Sequence, residues 1–110
     1  MALPTLRLVS VSTFTANAWT AVVPLVSANR ALVVSKIVVV NGQNAATTFG
    51  LLIGTTSGSG TGHLAYATPL AGGQTYSETG LVIPAGYGLF AVTSTANGIV
   101  VTVSGEEVDN

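Results

Sequence analysis

ALVVSKIVVV, residues Ala31–Val40, decides the fold. Apolar residues fill both alternating faces, interrupted only by Ser35 and Lys36. The run is dominated by Val and Ile, whose branched Cβ favours a pleated strand over a helix. No apolar stripe of helical period runs through it. A strand that is apolar on both faces is covered on both. In a small two-layer protein one cover is the opposite sheet, and the second comes from a neighbouring subunit. Asn41-Gly42 then ends the run.

Working outward, Ala45–Ile53 (AATTFGLLI) is the next strand, with Thr47, Phe49, Leu51 and Ile53 in phase. Gly54–Gly62 (GTTSGSGTG) reads as a solvated, flexible hairpin loop. It lacks the lysine and following helix of a phosphate-cradling loop. His63–Ala67 is a short strand, followed by a connection through Pro69 and Ala71-Gly72-Gly73. Gln74–Glu78 and Leu81–Ile83 are two further short strands, and Pro84-Ala85-Gly86 turns the chain. Tyr87–Thr93 and Ile99–Ser104 are expected to form a terminal hairpin through Asn97-Gly98, the strongest short-range hairpin signal. Upstream, Ala18–Val23 (AWTAVV) is a strand limited by Pro24. Thr5–Val11 (TLRLVSV) is another, and its apolar phase shifts between Leu8 and Val9, the mark of a bulge or of cover on both faces. About eight short strands without a helix, broken about every eight to twelve positions, predict an all-β antiparallel β-sandwich or jelly-roll. No internal repeat points to a solenoid or propeller.

A chain of 110 residues is expected to be a single domain, residues 1–110, burying roughly 65% of its unfolded surface. Sixteen Val, fifteen Thr and thirteen Gly agree with strands and turns. There are no cysteines, so neither disulfides nor thiolate chemistry exists here. Charged residues make up only 6% of the chain, against about a quarter in average soluble domains, while 48% are hydrophobic. Such a surface calls for cover by another protein. Net charge −1 gives no basic footprint for nucleic acid and no attraction to anionic membrane. No apolar run nears the ~20 residues of a spanning helix, so a soluble, non-secreted product is expected. Arg7, Arg30, Lys36 and Glu78 leave residues 1–105 positive, whereas Glu106, Glu107 and Asp109 make the end acidic. Residues 106–110 are expected to be a frayed acidic tail. The sharper alternative is an arm that reaches Arg7 or Arg30 of a neighbouring copy.

The chain carries little chemistry. His63 is the only histidine, and Glu78 the only acid before the tail, so a His63–Glu78 metal pair lacks further ligands. Gly58-Ser59-Gly60 lacks the strand-to-helix context of a nucleophile elbow. A glycosidase needs two facing carboxylates, and Glu78 would have to find one in the tail. No catalytic residue, metal ligand or cofactor is expected. Trp19, Tyr66, Tyr76 and Tyr87 could form a sugar-stacking platform; the preferred reading puts Trp19 in the core or an interface and the tyrosines at strand ends with their hydroxyls in water, because no acidic or amide cluster accompanies them. The Thr-x-Thr pairs at Thr13–Thr15 and Thr93–Thr95 are too few for the regular array of an ice-binding surface.

SKIVVVNG (Ser35–Gly42), the Thr-rich strand after it, LVIPAGYGLFAVTS (Leu81–Ser94) and NGIVVTVSGEEV (Asn97–Val108) resemble small all-β virion proteins of tailed bacteriophages. These are capsid decoration (cement) proteins or neck and tail accessory proteins, and the likeness covers about two-thirds of the chain as a style of strand and turn. The resemblance implies a sandwich or jelly-roll, a homotrimer, and an N-terminal arm, for which residues 1–23 are the candidate. It implies a non-enzymatic virion protein, assembled in the host cytoplasm, that binds between major capsid proteins and stabilises the head. A neck, tail or baseplate subunit and a carbohydrate-binding sandwich module are the alternatives. The expected partners are copies of the chain itself and the major capsid protein or another virion protein. The interface candidates are Leu6, Leu8, Trp19, Arg30, Leu32, Val34, Lys36 and Val38.

Overall fold

The computed structural model describes residues 5–55 and 62–109. Eight strands form: β1 (Thr5–Val11), β2 (Thr20–Val23), β3 (Arg30–Val40), β4 (Thr47–Gly54), β5 (Gly62–Leu70), β6 (Thr75–Pro84), β7 (Gly88–Thr93) and β8 (Val100–Asp109). No helix occurs among the described residues. Two antiparallel four-stranded sheets result, in the orders β1-β8-β3-β6 and β2-β7-β4-β5. They share one apolar core, with Leu32, Ile37, Ile83 and Val101 from the first sheet meeting Val22, Phe49, Leu51 and Leu89 from the second. This is a β-sandwich whose strand order follows the jelly-roll winding.

That winding explains why one strong local signal misleads. Only β4 and β5 are consecutive strands of the same sheet; every other connection crosses between sheets. Asn97-Gly98 therefore joins β7 in one sheet to β8 in the other, and the expected terminal hairpin does not exist. Asn97 does adopt a positive φ of 53°, as a tight turn asks. Its side-chain Oδ1, however, accepts from the Phe14 amide (2.8 Å), tying the turn to a distant segment.

The strands at Gln74–Glu78 and Leu81–Ile83 are one continuous β6, because Gly80 absorbs a positive φ of 73° in mid-strand. Beside it, β3 carries an extra residue: Val34 pairs with Gly105 and Lys36 with Ser104, so Ser35 is a bulge. The bulge flips the phase of β3. Leu32 and Val34 face the core before it, Ile37 and Val39 after it. Pro69 is tolerated because β5 is an edge strand.

At the chain ends the expectations change most. Residues 5–11 and 20–23, within the stretch proposed as an arm, are strands of the two sheets. Glu106–Asp109 are not frayed; they continue β8, paired with β1 on one side and β3 on the other. A ladder of charges holds them. Arg7 donates to Glu107 Oε2 from Nη2 (2.7 Å) and Nε (3.0 Å). Arg30 reaches Glu107 Oε1 (3.3 Å), the Glu107 carbonyl (3.1 Å) and Asp109 Oδ1 (2.5 Å). Hydrogen bonds from Arg7, then Arg30, hold the Glu107 carboxyl below its ordinary range. The acidic end thus meets both arginines within its own chain. Residues 56–61 of the expected glycine-rich loop and the side chain of His63 lie outside the described residues.

Candidate interaction surface

Register sets out the outer face of the first sheet row by row. Leu6 on β1, Glu106 on β8, Val33 on β3 and Val82 on β6 form one row. Leu8, Ser104, Lys36 and Thr79 form the next, then Ser10, Thr102, Val38 and Ser77. Four apolar side chains in the first two rows stand open to solvent among Glu106, Ser104, Lys36 and Thr79: Leu6 is 83% exposed, Leu8 77%, Val82 55% and Val33 42%. A shallow concavity between β1 and β8 is lined by Leu6, Leu8, Ser35 and Ser104. The only formally charged side chains in these rows are Glu106 and Lys36, and neither forms an ion pair among the described residues.

The expected interface residues divide accordingly. Leu6, Leu8, Lys36 and Val38 share this outer face. Leu32 and Val34 do not: they are buried in the core at 2% and 1% exposure, since the Ser35 bulge separates their phase from that of Lys36 and Val38. Arg30 is engaged by Glu107 and Asp109 of its own chain. Trp19 is half-buried and stands just before β2 of the other sheet, its indole against Gly50 of β4. Val33 and Val82 were not anticipated. Gly80, flanked by polar Thr79 and apolar Leu81, was the one sequence cue to the phase change that exposes them.

The edges of the sheets are unequally protected. β2 is only four residues long and runs into Pro24; β5 contains Pro69; β6 carries the Gly80 kink. β1 offers seven residues of free edge without proline, next to exposed Leu6 and Leu8. Unprotected edges of this kind invite strand addition.

Among the described residues no group of three or more His, Cys, Asp and Glu comes together that could hold a metal ion. Glu78 accepts a hydrogen bond from the Tyr76 hydroxyl (2.5 Å), and the Tyr76 ring packs on Phe49 at 5.0 Å between centroids. Burial, reinforced by Glu78, pushes the Tyr76 hydroxyl up to about 12. A cavity of about 90 Å³ between the sheets is lined by Val9, Val23, Leu32 and Val103, with Arg7 and Glu107 also in its wall. Compared with known proteins, the chain matches no family model, no curated protein and no solved structure.

Proposed function

We propose that the chain is a non-enzymatic structural subunit of a tailed-phage virion, a capsid decoration protein that assembles on itself, as a homotrimer, and on the major capsid protein. The observation that carries the assembly reading is the outer face of the first sheet, where Leu6, Leu8, Val33 and Val82 stand exposed together on a chain with very few charges. Exposed apolar side chains gathered on one sheet face, here in two pairs on either side of Glu106 and Ser104 of β8, mark a protein contact. Burying Leu6 and Leu8 alone would contribute roughly 1.5–3 kcal/mol each. The free β1 edge supplies backbone hydrogen bonds to the same neighbour, so contact and strand addition act together. The phage assignment rests on the resemblance of SKIVVVNG, LVIPAGYGLFAVTS and NGIVVTVSGEEV to small virion proteins.

Mass spectrometry of purified virions, with antibody labelling of intact particles, tests this. The chain is expected in many copies per particle, with label over the head. Absence from purified virions removes the structural assignment, and label confined to the neck or tail moves the subunit there.

A further inference from the structure

The second sheet carries a different kind of surface. Trp19 lies across β4 at a position left open by Gly50: a Cβ there would sit 3.1 Å from the indole Cη2 and 3.0 Å from Val92 Cγ1. Opposite Gly50, β5 bulges. Phe49 pairs with Thr68 and Leu51 with Ala65, leaving Tyr66 and Ala67 to face one residue. Ala67 takes a positive φ of 46°, a region that a residue with a Cβ rarely enters, and Tyr66 is 74% exposed. Asn17, at the turn before Trp19, has a φ of 60°, and its backbone N–H donates to the Thr93 carbonyl (2.8 Å). Two of the four non-glycine residues with positive φ among the described residues thus border one groove, of about 210 Å³. Backbone strain of this kind concentrates where geometry serves a ligand.

Trp19 and Tyr66 line the groove together with Asn17, Thr48 and Ser94. Asn17 stands two residues before Trp19 in sequence, but Thr48, Tyr66 and Ser94 lie 29 to 75 positions from Trp19, so only the fold gathers the cluster. None of the lining side chains is formally charged. The surface therefore offers aromatic carbon, one carboxamide and the three hydroxyls of Thr48, Tyr66 and Ser94, and no charged group that recruits an ion. A neutral ligand with one apolar face and a rim of hydroxyls matches it. The volume is below that of an enclosed small-molecule pocket, so one ring rests on the surface. We propose that this groove binds one ring of a neutral saccharide, its C–H face against the aromatics and its hydroxyls toward Asn17, Thr48 and Ser94. The site lies on the opposite sheet from the assembly face and does not depend on it.

The protein has a single tryptophan, so its emission reports this groove alone. The full chain is titrated with cellohexaose, maltohexaose and N-acetylchitohexaose while Trp19 fluorescence is followed. At least one of the three is expected to give a saturable shift, with a Kd on the order of 1 mM. Tyr66→Ala should weaken it at least tenfold at unchanged circular dichroism, since Tyr66 is exposed. Asn17→Gly, which keeps the positive φ but removes the amide, should weaken it several-fold. No saturable shift with any of the three, or a shift that Tyr66→Ala leaves unchanged, overturns the proposal.

Discussion

Asn41 is fully buried at the end of β3, yet every polar atom of its side chain is used. Nδ2 donates to the carbonyls of Ala45 (2.9 Å) and Leu70 (3.0 Å), while Oδ1 accepts from the Gln43 amide (3.0 Å). Its backbone pairs with Gln74 and Gly73. One side chain therefore joins the β3–β4 crossing to the β5–β6 crossing, at the end of the sandwich where the chain changes sheets twice. Removing the amide takes this donor from the buried Leu70 carbonyl and the part-buried Ala45 carbonyl, which costs more than the bonds contribute. Asn41→Ala is expected to lose about 3 kcal/mol and to lower Tm by roughly 10–20 °C in a domain this size; thermal unfolding followed by circular dichroism checks it. Asn41-Gly42 was legible in sequence as a stop. Its role as a clamp was not, because its acceptors come from segments that only the fold brings together.

At the scale of elements, β8 holds the first sheet together, with β1 and β3 on either side and three acids at its end. Glu107 takes two arginines from different strands. Its carboxyl titrates lower folded than unfolded, so its contribution is complete above the ordinary carboxylate value and fades as pH falls through the folded one. Glu107→Gln should lower Tm at pH 7, and the gap to the wild type should close as pH falls through and below the ordinary carboxylate range. A gap that stays constant with pH would assign the loss to packing instead. The strands themselves were largely readable: β1 has the bounds its sequence predicts, and β3 and β4 lie within two residues of theirs. Turn residues punctuate the chain clearly. The tail was misread because local composition favours fraying, whereas Arg7 and Arg30, far away in sequence, supply the partners.

For the whole molecule, strict alternation along Ala31–Val40 was the right reading of the class and the wrong reading of the face. It placed Leu32 and Val34 with Lys36 and Val38; the Ser35 bulge puts the first pair in the core and the second outside. A one-residue slip of phase exchanges the faces of a strand, and nothing in SKI marks the slip by itself. The corrected face is smaller than the one expected and sharper: two exposed leucines on an edge strand, two exposed valines beyond them, and one acid and one base with no ion pair among the described residues. Symmetric copies are the usual cover for such a face. Native mass by light scattering across a dilution series, with Leu8→Glu run beside the wild type, tests this most directly. A closed oligomer, a trimer, whose mass holds on dilution and falls to monomer in Leu8→Glu is the predicted result. A wild-type chain that is monomeric throughout, or an oligomer indifferent to Leu8→Glu, contradicts it.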